Sequence, residues 1–262
     1  MEQGVVTQVI DHRAVTRQRH AERYLASSAS QSAHISHLAV ILDGNRRWAS
    51  QRGLPIVDGY RAGGDNVHRF LGWCEEAGIP LVTLWPLSME NLRRDPQELQ
   101  ALLTVIVDVF DELAESDRWR LHILGDLARL PPAVAQRISM AEQRTHRSKG
   151  VEVNIAVAYS GRHEVLRAVQ CLLAEHSLAG TLDQLINVLS TELIASKLYT
   201  AGQPDPDMVI RASGEQRLSN FMPWQSAFSE LYFSPMCWPE FGLADFEDAL
   251  ATYQRRQRRF GM

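Results

Sequence analysis

The stretch HLAVILDGNRRW, residues 37–48, decides the fold that we predict for this chain. Its first part, residues 37–42, is a short apolar run, which is typical of a buried parallel strand. The turn residues Asp43, Gly44 and Asn45 follow at once and end that strand in a loop. Similar runs recur along the chain and alternate with helical patterns, which predicts a mostly parallel sheet. The predicted fold class is therefore α/β, a single domain whose central, mostly parallel β-sheet is flanked by helices.

The other strands and helices are placed by the same patterns. Strands are predicted over residues 79–87, 120–125, 151–159, 207–211 and 230–233. Helices are predicted over residues 59–77, 131–147, 162–176, 182–197 and 244–259, and one more is expected to begin near Asn45. Residues 1–36 are polar, so we interpret them as a solvated N-terminal helix and a linker that precede a domain of residues 37–262.

One further helix has the clearest start signals in the chain. Asp95 can cap it, Pro96 suits its first position, and Glu98 completes a capping-box pattern. Apolar residues follow at helical spacing and form one wide face. Ile106 and Phe110 on that face either pack in the core or line an apolar cavity, and the periodicity is compatible with both.

The charge composition excludes several chemistries. The chain of 262 residues has 27 Lys and Arg against 31 Asp and Glu, a formal net charge of −4. Neither of its two lysines, Lys149 and Lys197, stands in a P-loop motif, which excludes that kind of nucleotide site. Because binding to nucleic acid needs a basic face, the weak acidity argues against a nucleic-acid partner.

Cysteine content and hydropathy indicate a cytoplasmic protein. Cys74, Cys171 and Cys237 are far apart in the sequence and form no C-x-x-C pair, which suits buried thiols in a reducing compartment. No stretch approaches the roughly 18 continuous apolar residues that a membrane-spanning helix needs. We expect at most peripheral contact with a membrane.

Polar segments follow three of the predicted strands, at residues 43–48, 88–94 and 211–219. Ligands of parallel sheets bind outside the carboxyl ends of the strands, so these segments are expected to meet at one edge. Their arginines suit phosphate, which guanidinium binds bidentately. Asp43 could share Mg²⁺ with substrate phosphates, and Glu230 is a possible second carboxylate. Together the segments predict a site for a diphosphate and Mg²⁺, whereas Asp43 taken alone fits a helix cap.

Motifs for other chemistries are absent from the sequence. It contains no DDxxD, G-x-S-x-G, H-E-x-x-H or G-x-G-x-x-G pattern. Paired-aspartate prenyl synthases, nucleophile-elbow hydrolases, zinc proteases and dinucleotide-binding enzymes are therefore not indicated.

Five motifs make the chain resemble the cis-prenyltransferases, the undecaprenyl diphosphate synthase family. They are HLAVILDGNRRWA, SMENLRRDP, AYSGR, DMVIRASGEQRLSNFMPWQSAFSELYF and RRFG. The resemblance runs from about His37 to Gly261. It implies a Mg²⁺-dependent transferase that couples an allylic diphosphate to isopentenyl diphosphate, forms a Z double bond, and holds its product in an apolar tunnel. In that case residues 37–262 are the catalytic domain.

The resemblance also implies roles for individual residues. The catalytic residues would be Asp43, Asn45 and Asn91, of which the two asparagines are candidates for assisting proton removal. The metal ligands would be Asp43 and Glu230. The substrate-binding residues would be Gly44, Asn45, Arg46, Arg47, Trp48, Tyr60, Ser88, Met89, Glu90, Arg94, Arg211, Arg217, Leu218 and Ser219.

Some positions depart from the usual family pattern. Ile56 stands where the family carries a basic residue and Tyr60 where it carries a histidine, and Arg61 is the candidate replacement for the lost cation. Leu87 and Leu92 replace aromatic residues. These departures resemble the short-chain branch that makes (2Z,6E)-farnesyl diphosphate, so the expected reaction joins isopentenyl diphosphate to dimethylallyl or geranyl diphosphate and stops at a short product.

Three alternatives stay open at this point. The chain could make longer Z-polyprenyl diphosphates such as decaprenyl or undecaprenyl diphosphate. It could be a head-to-middle coupling enzyme of the lavandulyl type, although Arg211, Arg217 and Ser219 argue against this. It could also be a noncatalytic subunit of a heteromeric enzyme, which Asp43 together with Glu230 argues against. The family implies a homodimer, and the aromatic segment 224–238 could form its interface or pack within the chain.

Overall fold

Six strands form one sheet within residues 34–255, the part of the chain that this computed structural model describes. In chain order they are β1 His37–Ile41, β2 Leu81–Ser88, β3 Arg120–Leu124, β4 Glu152–Tyr159, β5 Met208–Arg211 and β6 Glu230–Phe233. The spatial order is β3-β4-β2-β1-β5-β6, and every neighbouring pair is parallel. This arrangement confirms the predicted α/β class and its parallel sheet.

Helices connect the strands, largely where the sequence predicts them. They are α1 Asn45–Gln51, α2 Ile56–Glu76, α3 Pro96–Ser116, α4 Pro132–Thr145, α5 Gly161–Leu178, α6 Leu182–Val188, α7 Thr191–Ala195 and α8 Leu243–Arg255. Short 3₁₀ turns lie at Glu90–Arg93, Leu127–Arg129 and Trp238–Glu240.

The single helix predicted over residues 182–197 is wrong. The chain leaves the helical conformation at Leu189, and a second short helix starts after Ser190. The Ser190 hydroxyl caps that helix by accepting a hydrogen bond from the Leu193 N–H at 3.2 Å. A hydroxyl of this kind competes with helix continuation, which accounts for the break.

Contacts divide the chain into two units, residues 35–243 and the terminal segments 1–34 with 244–262. The sheet and helices α1 to α7 belong to the first unit. The N-terminal helix predicted within residues 1–36 falls almost wholly outside the described residues, as does the RRFG motif at 258–261. The proposed division into residues 1–36 and 37–262 stays a prediction.

The start of α3 confirms one half of the predicted capping box. The Asp95 carboxylate accepts hydrogen bonds from the N–H groups of Gln97 at 2.9 Å and Glu98 at 3.1 Å, and Pro96 occupies the first turn. The Glu98 side chain accepts a hydrogen bond from the Tyr60 hydroxyl at 2.7 Å. Glu98, predicted as a capping partner, instead links α3 to α2 through this hydrogen bond.

Strand β1 is buried along its whole length, as expected for a central strand covered on both faces. On one side of the sheet α2 and α3 approach closely at Gly64, where a Cβ would lie 2.8 Å from a methyl of Val109. The two helices therefore pack in direct contact at this point. No helix in the described residues is both long and apolar enough to cross a membrane.

A buried polar network lies at the amino ends of the strands. The His37 ring is fully buried, and its Nδ1 donates to the Pro204 carbonyl oxygen at 2.8 Å. Its Nε2 lies 2.7 Å from the Thr83 hydroxyl, which also accepts from the Asn154 amide at 3.1 Å. Burial lowers the pKa of His37 from 6.5 to about 4, so this histidine is neutral in the folded protein at neutral pH.

This network predicts a loss of stability in mild acid. Below pH 6.5 His37 becomes protonated in the unfolded chain, whereas in the folded chain it stays neutral down to about pH 4. Because the proton binds the unfolded chain preferentially, the free energy of unfolding falls across that range. At pH 5 the loss from this residue is about 2 kcal/mol. Replacing His37→Gln should lower stability at pH 7.5 but remove this additional loss, as measured by urea unfolding at pH 7.5 and pH 5.

His122→Gln is the matched control, because His122 is a partly exposed histidine on β3. Because His37 is intact in this variant, the loss of stability that His37 causes between pH 7.5 and pH 5 should remain. Equal losses between pH 7.5 and pH 5 in the wild type and in His37→Gln would contradict the prediction.

Candidate active site

The sheet changes its winding direction at β1. The chain runs from β1 to β2 on one side of it and later crosses to β5 on the other side. A crevice forms outside the carboxyl ends of strands at such a switch point. A cavity of about 970 Å³ opens there, with Asp43 just after β1 and Arg211 at the end of β5 both in its wall.

Most of the residues that the sequence predicted as a site meet in this cavity. They are Asp43, Gly44, Asn45, Arg46, Arg47, Tyr60, Ser88, Glu90, Asn91, Arg94, Arg211, Arg217 and Ser219. Apolar wall residues include Leu54, Ile56, Trp85, Pro86 and Leu102. The three polar segments after β1, β2 and β5 therefore converge as predicted.

Three predicted substrate-binding residues lie outside this wall. The Trp48 ring lies beneath the Arg52 guanidinium at 4.6 Å, on the helix α1. Leu218 packs against the apolar cluster around Phe221, and Met89 donates its N–H to the Tyr159 carbonyl oxygen at 3.0 Å. Their substrate-binding role stays a prediction from the resemblance.

Glu230, the second predicted metal ligand, stands at the other end of the sheet. It is the first residue of β6 and is level with Met208, whereas Arg211 is level with Phe233. Three residues of strand separate the two levels, which is about 10 Å. Within the described chain only Asp43 of the predicted metal pair lies at the cavity, and the role of Glu230 stays a prediction from the resemblance.

Asp43 is the anionic centre of the cavity. One carboxylate oxygen accepts from Arg211 Nη2 at 2.7 Å and from the Ser213 hydroxyl at 2.9 Å, and the other accepts from the Gly44 N–H at 2.7 Å. Burial acts to raise the pKa of Asp43, but these hydrogen bonds and the Arg211 charge outweigh it and hold that pKa below its usual value. The carboxylate is therefore ionised at neutral pH.

Arg211 organises the loop that follows β5. Its side chain is only 5% exposed, and its Nη1 donates to the Arg217 carbonyl oxygen at 2.5 Å and to the Ser219 hydroxyl at 2.8 Å. With its bond to Asp43, one guanidinium joins the ends of β1 and β5 to residues 217–219. A planar guanidinium can bind several acceptors at once in fixed directions, which the single ammonium group of a lysine could not do here.

Glu215 is a member of the site that sequence reasoning missed. Its carboxylate accepts from Arg47 Nη2 at 3.1 Å and forms a short ion pair with Arg217. Hydrogen bonding from Arg217, and then from Arg47, lowers the pKa of Glu215. Arg47 comes from α1 and Arg217 from the loop after β5, so one acidic side chain gathers two arginines of the cavity wall.

Glu98 plays a similar part on the opposite wall. The Tyr60 hydroxyl donates to Glu98 and accepts from Arg94 Nη1 at 2.8 Å, while Arg46 Nε lies 3.5 Å from the same carboxylate. Burial and the bond to Glu98 raise the pKa of Tyr60 to about 12, so its phenol stays neutral.

Arg61, the candidate replacement for the cation that the family carries at the position of Ile56, is exposed and pairs with Asp58 at 3.5 Å. Arg46 and Arg94 supply the positive charge on this wall.

A second, apolar cavity of about 60 Å³ adjoins the first between α2, α3 and the sheet. Ile106 and Phe110 both line it and are also buried in the core, so the two roles left open by the periodicity coincide. Asn45 lies in the walls of both cavities and donates its amide to the Leu42 carbonyl oxygen at 2.9 Å. Its Oδ1 is buried without a partner in the described chain, beside Gly63, where any Cβ would overlap it. An oriented amide oxygen thus marks the junction of the polar and apolar cavities.

The donor set of the cavity fits a metal ion that arrives with its substrate. Among residues 34–255 no group of three or more His, Cys, Asp or Glu side chains is placed to hold a metal. Mg²⁺ in proteins is often bound by one or two carboxylates together with substrate phosphates and waters. The ionised Asp43, surrounded by arginines that suit a diphosphate, matches that mode of binding.

Gly44 is required where the chain turns from β1 into α1. Its φ is +101°, and a Cβ there would lie 2.9 Å from three atoms of Cys237. We expect Gly44→Ala to lower the free energy of unfolding by about 1–3 kcal/mol through backbone strain and this overlap. Gly72→Ala, in α2 with open space around it, should instead raise stability by about 0.5–1 kcal/mol. Urea unfolding compares the two variants, and equal effects of the same sign would refute the steric explanation.

Comparison with known proteins agrees with this geometry. A family model described as "Putative undecaprenyl diphosphate synthase" matches residues 41–261. The short-chain Z-isoprenyl diphosphate synthase of Mycobacterium leprae is 47% identical over 89% of this chain and 90% of its own. The (2Z,6E)-farnesyl diphosphate synthase of Mycobacterium tuberculosis is 46% identical over the same shares.

A solved structure is similar over nearly its whole length. The crystal structure of lavandulyl diphosphate synthase from Lavandula x intermedia in complex with dimethylallyl diphosphate gives a TM-score of 0.83 at 35% identity, covering 87% of this chain and 99% of that one. The family match, the identities and the converging cavity residues lead to one conclusion: the chain belongs to the undecaprenyl diphosphate synthase family of cis-prenyltransferases.

Proposed function

We propose that this enzyme condenses isopentenyl diphosphate with dimethylallyl or geranyl diphosphate and releases diphosphate. The proposed product is a short Z-prenyl diphosphate, (2Z,6E)-farnesyl diphosphate. The observation that carries the proposal is a cavity with an ionised aspartate and converging arginines that adjoins an apolar cavity. The names of the two mycobacterial relatives support the same reaction.

The arginines suit the two diphosphate groups of the substrates. Arg46 and Arg47 lie in the first turn of α1, whose N-terminal N–H groups also attract anions, so the start of this helix is proposed to bind the allylic diphosphate. Arg211 at the end of β5 bonds to Arg217 and Ser219 in the loop that follows, and these three residues are proposed to bind isopentenyl diphosphate. Donors held in place before the reaction stabilise charge that develops on a leaving diphosphate.

Mg²⁺ is the proposed cofactor, with Asp43 as the residue of the described cavity that would hold it beside the substrate phosphates. A bound Mg²⁺ would neutralise negative charge on the leaving diphosphate. Asp43 is ionised at neutral pH, so its carboxylate needs no deprotonation before binding a cation.

Asn45 and Asn91 are proposed to orient the proton that leaves when the new double bond forms. An amide is a poor base, so each would guide the proton towards a diphosphate oxygen. The unpartnered Oδ1 of Asn45 faces the junction where apolar chain and diphosphate would meet. Asn91 lies in the 3₁₀ turn after β2, where its N–H donates to the Ser88 hydroxyl at 3.1 Å.

The apolar cavity is proposed as the start of the product tunnel. Its walls exclude water, which would quench an allylic cation. Bulky residues such as Phe110 line this cavity, which supports a short product.

Product analysis tests the proposed reaction. The purified chain with Mg²⁺, isopentenyl diphosphate and geranyl diphosphate should release a product that dephosphorylates to Z,E-farnesol, as identified by mass spectrometry against standards. EDTA should abolish the activity and added Mg²⁺ should restore it. Mainly long polyprenols would refute the short-chain proposal, a product from dimethylallyl diphosphate alone would support lavandulyl-type coupling, and an inactive chain would indicate a noncatalytic subunit.

Single substitutions test the two asparagines. Asn45→Ala and Asn91→Ala should each lower kcat about tenfold or more, because each removes an amide at the reacting centre. Asn187→Ala, an exposed amide on α6, is the control and should leave kcat unchanged. Unchanged turnover in Asn91→Ala would make Asn91 merely structural.

The proposed assembly is a cytoplasmic homodimer. All three cysteines are free thiols, which supports a reducing compartment. In the segment 224–238, Trp238 is buried and stacks on Phe241, whereas Phe228 is 79% exposed beside β6, the last strand of the described sheet. The early part of the segment is therefore the proposed interface, and the mass of the purified chain in sedimentation would test it.

A further inference from the structure

The end of β4 and the first turn of α5, residues 159–164, contact two of the three loops that line the cavity. We call these residues the β4–α5 junction. The Tyr159 carbonyl oxygen accepts the Met89 N–H at 3.0 Å, within the turn that carries Ser88 and Asn91. The residues that follow Tyr159 contact the segment 217–225. The described cavity wall includes no member of the junction, so its influence on the site passes through these loops.

Asn220 forms the first attachment of the segment 217–225. Its carbonyl oxygen accepts from the Gly161 N–H at 3.0 Å, and its side-chain oxygen accepts from the Arg162 N–H at 2.9 Å. Its amide donates to the Ser160 hydroxyl at 2.7 Å. The first N–H groups of α5, which have no partner inside the helix, are thus satisfied by the loop that carries Arg217.

Glu164 forms the second attachment. Its carboxylate is 1% exposed and accepts from the Tyr199 N–H at 2.8 Å and the Tyr159 hydroxyl at 2.6 Å. The Gln225 amide donates to both of its oxygens, at 3.3 and 3.2 Å. A buried carboxylate is costly unless such donors satisfy it. The buried carboxylate of Glu164 therefore holds Gln225, which ends the same segment.

The segment needs to be held because its backbone is strained. Ser219, Asn220 and Met222 have φ values of 50°, 75° and 45°, in the left-handed region. Non-glycine residues in such conformations cost of the order of 1 kcal/mol or more each and persist only when surrounding contacts impose them. Phe221 between them stacks on Trp85 with ring centroids 4.9 Å apart, which adds a packing contact.

We propose that Glu164 is a positioning residue for the substrate site. By holding Gln225, it keeps the strained segment 217–225 in the conformation that places Arg217 and Ser219 in the cavity wall. The proposal rests on the proposed function only for the identity of the ligand, an isopentenyl diphosphate bound through its diphosphate group.

Two variants separate this role from general stability. Glu164→Gln removes the charge and turns an NH₂ group towards the donors that now bind the carboxylate. Gln225→Met nearly keeps the volume and removes the amide, whose NH₂ group donates to Glu164 and to Thr200. Glu164 keeps its bonds from Tyr159 and Tyr199 in this variant, so the variant should fold even if Glu164→Gln does not. The control is Asn154→Ala, a buried amide in the other half of β4 that bonds to Thr83 and Gln203.

Three measurements on the full chain test the proposal. In both variants KM for isopentenyl diphosphate and Kd for inorganic pyrophosphate should rise about tenfold, with a smaller change in kcat. Trypsin should cut faster after Arg217, because the loosened segment reaches the protease. Asn154→Ala should lower thermal stability and leave these three readouts at wild-type values.

Pyrophosphate binding and cleavage rates like those of Asn154→Ala in a folded Gln225→Met variant would overturn the proposal. The proposed function fails separately. A wild-type chain that makes no prenyl product, together with variants that bind pyrophosphate weakly and are cut faster after Arg217, would leave the positioning role standing and reject the reaction.

Discussion

The ion pair between Asp43 and Arg211 is the contact on which the rest of the site depends. These residues end two neighbouring strands, β1 and β5, at the point where the sheet changes its winding direction. Arg211 is almost fully buried, and an unpaired guanidinium there would be strongly destabilising, so the two strand ends and the loop bonded to Arg211 behave as one structural unit. The charge of the site is therefore part of the fold.

Around that pair, acidic side chains arrange the arginines before any substrate binds. Glu215 holds Arg47 and Arg217 on one wall, and Glu98 holds Arg46 and Arg94 on the other. Rotamer-rich side chains that are already ordered lose less entropy when an anion binds. The same carboxylates keep the concentrated positive charge of the walls from destabilising the fold by mutual repulsion.

The sequence allowed much of the fold and most of the cavity wall to be predicted, for two physical reasons. Strands buried on both faces must be apolar runs ended by turn residues, so β1 and its neighbours are visible as patterns. The carboxyl ends of parallel strands share one edge, so the polar segments after them must converge. The break at Ser190 was missed because a single side-chain cap decided it. Glu98, Glu164 and Glu215 were missed as site residues because most of their partners come from distant parts of the chain.

What the sequence by itself determined is the chemistry available: an α/β sheet with an aspartate, amides and arginines after three of its strands, in an order typical of one enzyme family. Only the tertiary structure decided which of these groups meet. It brought Asp43 to Arg211, left Glu230 at the opposite end of β6, and opened an apolar cavity between α2 and α3 beside Asn45. Local patterns record burial and turns, whereas strand register and helix packing set the distances between side chains, and those distances decide binding.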